Sequence, residues 1–167
     1  MRTALFSLTL LLTLNGTTVW AAPKAAIQAG KEVALAYKLT VKGELLETAD
    51  SKDPFVYTHG KHQIVPGLEK NLTGLRVGDR KTIHVPPEEA YGLVNPKALR
   101  EIEKTKLPPD IPQKVGTFLE ARNPQGAGML VKIVEVKDKT VVLDFNHPLA
   151  GKALDFQVEV LNIKNIK

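Results

Sequence analysis

The sequence contains no cysteine and only two serines, Ser7 and Ser51. The absence of cysteine excludes disulfides, zinc–thiolate sites, iron–sulfur clusters and cysteine nucleophiles together. Ser7 lies in an apolar N-terminal segment that is expected to be removed. A serine hydrolase would therefore depend on Ser51, which lies in the charged loop Asp50–Asp53 without a nucleophile elbow around it. The chemistry of this protein is expected to need neither a thiol nor a serine nucleophile.

The charge of the chain is also not concentrated in any one stretch. The 167 residues carry 23 Lys and Arg against 18 Asp and Glu, a formal net charge of +5, and only 5% of the residues are aromatic. A nucleic-acid binder concentrates basic residues on one face or segment, usually with aromatic side chains between them. No nucleic-acid partner is expected, and the basic balance is attributed to scattered surface lysines.

One long apolar run is present, at the N-terminus. Arg2 precedes the apolar residues 4–14, and small and polar residues then lead to Val19-Trp20-Ala21. This order predicts a secretory signal peptide over residues 1–21, cleaved after Ala21. The alternative is a transmembrane anchor, but a bilayer needs about 20 apolar residues. We therefore expect an exported protein, in the bacterial periplasm, without stable membrane insertion.

Alternating apolar residues predict strands at both ends of the remaining chain. Residues 31–40 and 153–166 each place alternate apolar side chains on one face. Between them, residues 64–72 have apolar residues at helical spacing, with Gly74 at the position of a C-cap. Pro86–Glu89 is typical of the start of a short helix, with proline early and acids near the positive end of the dipole. Shorter strands are predicted at Leu45-Leu46, Phe55–Tyr57 and Thr82–Val85.

The middle of the chain has a different pattern. Residues 93–145 begin with a proline-rich mixed stretch and continue as three predicted strands, Thr117–Ala121, Met129–Val136 and Thr140–Leu143, the first two joined by a turn at 123–126. About fifty residues with hairpins of their own are too many for a simple loop. We predict a small second domain over residues 93–145, inserted into the first.

Four motifs and the last strand occur in an order that resembles a known family. They are Val65-Pro66-Gly67-Leu68-Glu69, Leu75-Arg76-Val77-Gly78-Asp79, Pro86-Pro87-Glu88-Glu89-Ala90-Tyr91-Gly92, Asn146-His147-Pro148-Leu149-Ala150-Gly151-Lys152 and Leu154–Val160. Together they resemble the FKBP-type peptidyl-prolyl cis-trans isomerases, in particular the SlyD-like branch with its insert-in-flap domain. The resemblance implies an α+β fold, a bent antiparallel sheet wrapped on one helix. It also implies an isomerase domain over residues 22–92 and 146–167, with a β-rich insert between the two parts.

The resemblance also implies a proline-binding pocket between the sheet and the helix. The catalytic residues carried over from the family are Tyr91, Tyr37, Glu47 and Phe156. The implied substrate-binding residues are Leu46, Phe55, Ile64, Val65 and Leu68. A plain core role is the alternative for Leu46, Val65 and Leu68. Leu68 stands where the family often has Trp, and Glu47 where it usually has Asp. The smaller floor at Leu68 implies weaker binding of macrolide inhibitors.

For the insert, the resemblance implies capture of unfolded chains. The residues expected to bind them are Phe118, Met129, Leu130, Val131 and Ile133. The apolar residues of this segment exceed what a strictly alternating strand needs. A small self-contained core is the alternative explanation, and both can hold at once.

The remaining candidates for chemistry are the histidines. His59 and His62 are three residues apart, but no third metal ligand is evident near them. The metal-binding tail common in the SlyD-like branch does not follow the last predicted strand. No metal and no other cofactor is therefore expected.

The expected activity is acceleration of proline-limited folding of other proteins, by a monomer that binds unfolded or partly folded chains with X-Pro bonds. Prolyl isomerisation needs no nucleophile, which agrees with the scarcity of serine and cysteine. The first alternative is a holdase whose pocket does not catalyse. The second is a secreted metallochaperone, which would need the missing tail.

Overall fold

The computed structural model describes residues 25–122, 126 and 128–166. The predicted signal peptide and the centre of the predicted turn at 123–126 lie outside these residues. The strands are β1 (Lys31–Val41), β2 (Glu44–Ala49), β3 (Phe55–Thr58), β4 (Arg80–Val85), β5 (Leu99–Glu103), β6 (Phe118–Arg122), β7 (Gly128–Val136), β8 (Thr140–Asp144) and β9 (Leu154–Asn165). One α-helix is described, α1 (Pro66–Leu72), together with three single 3₁₀ turns at Pro87–Glu89, Pro96–Ala98 and Lys104–Lys106.

The strands form two antiparallel sheets. The first has the order β2-β1-β9-β4. Strand β2 pairs with the C-terminal half of β1, and β3 pairs with its N-terminal half. The second has the order β5-β8-β7-β6 and is built wholly from residues between Leu99 and Asp144. The first sheet brings the N-terminal and C-terminal ends of the described chain together, since β1 and β9 pair along almost their whole length.

Each sheet covers its own hydrophobic core. In the first, alternate residues of β1, β4 and β9 pack against Leu68 and Leu72 of α1. In the second, Leu119, Val131, Ile133, Val141 and Leu143 are buried, with Leu107 beneath them. The buried residues of one cluster come from outside residues 93–145, and those of the other from inside.

The helix is shorter than its apolar pattern predicts, because it begins only at Pro66. Proline lacks an N–H and suits the first helical position, whereas the residue before it is held extended. Val65 accordingly has φ −61° and ψ 141°. At the other end Gly74 has φ +85°, a left-handed conformation that glycine adopts without a Cβ penalty.

Strand β5 was not predicted by the sequence pattern. Its segment, Leu-Arg-Glu-Ile-Glu, is mostly exposed and charged, and it forms an edge of the second sheet. In the described part of the chain, no helix is long and apolar enough to cross a membrane.

Candidate active site

The register of the first sheet gathers the aromatic residues on one face. Phe156 of β9 lies between Leu39 of β1 and Ile83 of β4, and Tyr37 of β1 lies opposite Val158 of β9. Leu35 of the same β1 face lies opposite Phe55 of β3. Because side chains alternate along a strand, these positions all face α1.

A cavity of about 180 Å³ lies between this face of the sheet and the segment that leads into α1. It is lined by Leu35, Tyr37, Leu39, Glu47, Phe55, Gln63, Ile64, Val65, Leu68, Tyr91, Phe156 and Val158. The four residues predicted as catalytic line this cavity, and so do four of the five predicted as substrate-binding. The cavity is below the range of about 300–1,000 Å³ typical of drug-sized ligands, so it suits a single small ring.

Three aromatic rings of the cavity contact one another, one pair edge to face and one pair tilted. The Tyr37 and Phe55 ring centroids are 5.8 Å apart with planes at 87°, and those of Tyr37 and Phe156 are 6.1 Å apart at 60°. Such pairs add about 0.5–1.5 kcal/mol each beyond the area they bury. These contacts therefore stabilise the part of the cavity wall that the three rings form.

Glu47 is the one acidic side chain of the cavity lining, and it lies next to the Tyr37 hydroxyl. Burial raises the pKa of Tyr37 well above its usual range, and the adjacent Glu47 carboxylate raises it further. The phenol therefore stays protonated at physiological pH, and its hydroxyl donates a hydrogen bond to Glu47.

Tyr91 lies at the mouth of the cavity, in the turn that follows the 3₁₀ segment Pro87–Glu89. Its side chain is 42% exposed. The turn is closed by two backbone hydrogen bonds to the Pro87 carbonyl, from Ala90 N–H at 3.1 Å and from Gly92 N–H at 2.8 Å. One part of the Tyr91 side chain thus borders the cavity while another remains open to solvent.

The structure does not bring Leu46 into the cavity lining. The pairing of β1 with β2 shifts at this point, since Leu39 lies opposite Glu47 and Thr40 opposite Leu45. Leu46 is the extra residue of this β-bulge, and its side chain is 53% exposed. The bulge faces Glu47 toward the cavity and leaves Leu46 outside it, neither core nor cavity wall.

Sequence reasoning missed four residues of the cavity. Leu35, Leu39 and Val158 lie on the same alternating strand faces as Tyr37 and Phe156, so the strand period could have found them. Gln63 has no such signal, because it precedes the helix in an irregular segment. Its Oε1 accepts a hydrogen bond from the Thr58 N–H at 2.7 Å, which ties this segment to β3.

The five residues predicted to bind unfolded chains do not share one surface. Phe118 and Leu130 are 50% and 49% exposed and Met129 is half-buried, but Val131 and Ile133 are 1% and 0% exposed. Val131 and Ile133 alternate with Leu130 along β7, so they point into the core of the second sheet. The prediction is corrected for these two, because a bound chain cannot contact them while the sheet is folded.

His59 and His62 do not form a metal site. His59 is buried between the Tyr57 hydroxyl (Nδ1, 3.1 Å) and the Thr73 hydroxyl (Nε2, 3.0 Å), whereas His62 is exposed and lies 3.6 Å from Glu69. Among the described residues, no group of three or more His, Asp or Glu side chains is arranged to hold a metal ion.

A larger hollow of about 770 Å³ lies mainly over the opposite face of the first sheet. It is formed by positions that alternate with the cavity residues, such as Ala36, Lys38 and Gln157, and by charged side chains including Arg80 and Glu159. Tyr37 is the one aromatic residue of its lining, whereas Tyr37, Phe55, Tyr91 and Phe156 all line the smaller cavity. We therefore take the smaller cavity as the candidate site.

Comparison of the sequence with known proteins shows the family to which it belongs. The sequence matches the FKBP-type peptidyl-prolyl cis-trans isomerases over residues 24–161. It is 31% identical over 153 residues to the short-type peptidyl-prolyl cis-trans isomerase of Methanocaldococcus jannaschii, which covers 83% of this chain and 94% of that protein. It is 33% identical over 122 residues to the FKBP-type peptidyl-prolyl cis-trans isomerase SlyD of Treponema pallidum, covering 73% of this chain and 69% of that protein. The crystal structure of FkpA from Escherichia coli is similar at a TM-score of 0.47 and 19% identity, over 88% of this chain and 46% of that one.

Because the family match spans most of the chain and both relatives exceed 30% identity, the chain belongs to the FKBP-type peptidyl-prolyl cis-trans isomerases. The α+β fold and the isomerase class expected from the sequence motifs are confirmed. Its substrates are polypeptides that contain proline.

Proposed function

We propose that the 180 Å³ cavity is the catalytic site of this isomerase and that the second sheet holds unfolded chains beside it. The observation that carries the first part is the convergence of Tyr37, Phe55, Tyr91 and Phe156 on one small apolar cavity. A proline ring is the substrate group that matches its size and lining.

The chemistry follows from the electronic structure of the X-Pro bond. Rotation about a peptide bond faces a barrier of about 18–20 kcal/mol, mostly lost amide resonance, and takes tens to hundreds of seconds for X-Pro. The planar amide is more dipolar than the twisted transition state. An apolar cavity disfavours the planar form relative to the twisted one, so its binding is differential. A barrier lowered by about 5.4 kcal/mol corresponds to a rate increase of about 10⁴.

Each side chain has a distinct part in this proposal. Phe55 and Phe156 hold the proline ring, with Ile64, Val65 and Leu68 closing the cavity from the helix side. Tyr91 at the mouth donates a hydrogen bond from its hydroxyl to a substrate carbonyl. Tyr37 donates its one hydroxyl proton to Glu47, so it acts through its ring, as part of the cavity wall.

Two variants of Tyr91 test this site. Tyr91→Ala removes both the hydroxyl and the ring wall, so we expect a larger loss of kcat/KM on a proline peptide than for Tyr91→Phe, which removes the hydroxyl alone. A lost hydrogen bond amounts to about 1 kcal/mol, or about fivefold in rate. The turnover is measured in a protease-coupled assay. Unchanged rates for both variants in a stable fold would remove Tyr91 from the site.

For the second sheet, the supporting observation is an apolar surface next to an unpaired strand edge. Phe118 of β6 and Leu130 of β7 point outward, and they are diagonal neighbours because Phe118 pairs with Lys132. Strand β6 is the last strand of its sheet. An exposed edge of this kind can pair with an extended chain while the apolar side chains contact it.

The test is the double variant Phe118→Ser and Leu130→Ser. We expect its affinity for a permanently unfolded protein to fall about tenfold, with turnover of a short proline peptide unchanged. Val56→Ser, an exposed apolar residue of β3, is the matched control and should change neither quantity. Unchanged affinity of the double variant would move the binding surface elsewhere.

We also propose that the isomerase acts outside the cytoplasm, in the periplasm of a bacterium. The support is the order of charged, apolar and small residues over 1–21. N-terminal sequencing of the protein from a periplasmic fraction should begin at residue 22. Recovery of the full chain from the cytoplasmic fraction would overturn this proposal.

A further inference from the structure

The ring of Tyr91 lies flat against the imidazole of His147. The ring centroids are 3.8 Å apart and the planes differ by 5°. Tyr91 is 42% exposed, so packing around it is incomplete and does not by itself fix its rotamer. A parallel ring held against one face removes that freedom, and His147 is the aromatic group in this position.

The imidazole is itself fixed by the segment that carries it. Its Nδ1 accepts a hydrogen bond from the Leu149 N–H at 3.1 Å, and the His147 carbonyl accepts one from the Ala150 N–H at 2.8 Å. Since Nδ1 accepts, the ring proton of the neutral imidazole is on Nε2. The plane of the ring is therefore set by the local backbone and not by the substrate.

The segment that carries His147 is also tied to the turn that carries Tyr91. The Gly151 N–H donates to the Gly92 carbonyl at 2.8 Å, next to Tyr91 in sequence. The two rings are thus mounted on backbone segments that hydrogen-bond each other. His147 does not line the cavity, so it reaches the substrate site only through Tyr91.

We propose that His147 is a positioning residue of the isomerase, which holds the Tyr91 ring at the mouth of the cavity with its hydroxyl directed to the substrate. The inference rests on the proposed role of Tyr91. The chemical requirement at position 147 is a flat ring with one face free for stacking.

The first measurement is kcat/KM on a proline peptide for three single variants. An aromatic pair is worth about 0.5–1.5 kcal/mol, so His147→Ala should lower kcat/KM about three- to tenfold. His147→Phe keeps a flat ring and should recover most of the activity. His84→Ala removes an exposed histidine that bonds Asp155 on the opposite face of the sheet, and it should leave the rate unchanged. Equal losses for His147→Ala and His147→Phe would overturn the proposal.

The second measurement repeats His147→Ala in a Tyr91→Ala background, with the free energy of unfolding recorded for every variant. We expect no further loss of kcat/KM, because the ring that His147 holds is gone. A further loss as large as in the wild-type background would overturn the proposal. A loss for Tyr91→Ala without one for His147→Ala would overturn this inference alone. No loss for Tyr91→Ala would overturn the role of Tyr91 and the inference with it.

Discussion

A line of hydrogen bonds runs from β3 through His59 to the end of α1. The Thr73 hydroxyl donates to the Glu69 carbonyl at 3.2 Å, so it accepts from the His59 Nε2–H at 3.0 Å. Nδ1 of His59 then accepts from the Tyr57 hydroxyl at 3.1 Å. The groups along this line of hydrogen bonds are all satisfied only while His59 is neutral. A protonated Nδ1 would leave the Tyr57 hydroxyl proton without an acceptor.

Burial lowers the pKa of His59 from its ordinary value, and the nearby Glu69 carboxylate opposes this only in part. In the unfolded protein His59 therefore binds a proton near pH 6.5, whereas in the folded protein it binds the proton only at a lower pH. The contribution of His59 to stability is complete above this pH and is lost as pH falls through it, with a slope of at most about 1.4 kcal/mol per pH unit.

We therefore predict that His59→Gln flattens the pH dependence of stability below neutral pH. Glutamine can still form hydrogen bonds but does not titrate. The measurement is the free energy of unfolding by urea from pH 7.5 to 5.0 for both proteins. Burial also lowers the pKa of His147, which acts with the same sign, but His147 is present in both and cancels in the difference. Identical slopes would show that His59 titrates normally in the folded protein.

At the scale of the elements, the short helix α1 packs closely on β4 and on the following 3₁₀ turn. A Cβ added to Gly67 would lie 2.6 Å from Cγ1 of Val85 and 2.9 Å from Cβ of Glu89. Val85 is fully buried and cannot move aside. The absence of a side chain at Gly67 therefore sets the distance between the helix and the sheet, and with it the depth at which Leu68 closes the cavity.

Gly67→Ala should destabilise the protein although alanine is the better helix former. Overpacking costs about 1–3 kcal/mol, against a propensity gain of about 1 kcal/mol, so we expect a net loss of about 1 kcal/mol in the free energy of unfolding. The matched control is Gly128→Ala in β7, where the nearest atom would be 3.4 Å away, and little change is expected there. A Gly67→Ala protein as stable as the wild type would mean that helix and sheet can separate without cost.

At the scale of the whole molecule, the two sheets are joined by two chain segments that meet at their base. Asn95 and Asn146 bond each other, the Asn95 N–H to Oδ1 of Asn146 at 2.8 Å and Nδ2 of Asn146 to the Asn95 carbonyl at 3.1 Å. Gly92 and Gly151 are bonded one step closer to the first sheet. The first core takes its buried residues from outside residues 93–145, so a short connection from Gly92 to Asn146 should leave it complete.

We predict that replacing residues 93–145 by a short flap separates two activities. Turnover of a short proline peptide should largely survive, because the cavity and its rings lie outside the removed segment and a shorter loop costs less entropy to close. Catalysis of the refolding of an unfolded protein should fall at least about tenfold, because holding the chain raises the local concentration of its prolines. The measurement is the ratio of the two rates in the variant and in residues 22–167. A folded variant that loses both activities equally would contradict a separate chain-holding role.

Many structural features of this protein are determined by residues close together in the chain, and these features can be predicted from the sequence. The alternation in β1 and β9, the helix before Gly74 and the family motifs predicted the fold class and the class of enzyme. The resemblance to the family also identified eight residues of the cavity, because its motifs can be matched residue by residue along the chain.

What only the tertiary structure decided depends on contacts between distant segments. The bulge opposite Leu39 directs Leu46 outward, and the pairing of β7 with its neighbours buries Val131 and Ile133. The stack of Tyr91 on His147 joins one residue that precedes the second sheet in the sequence and one that follows it. No local pattern records these outcomes, because a one-residue change of register reverses the face of every side chain that follows.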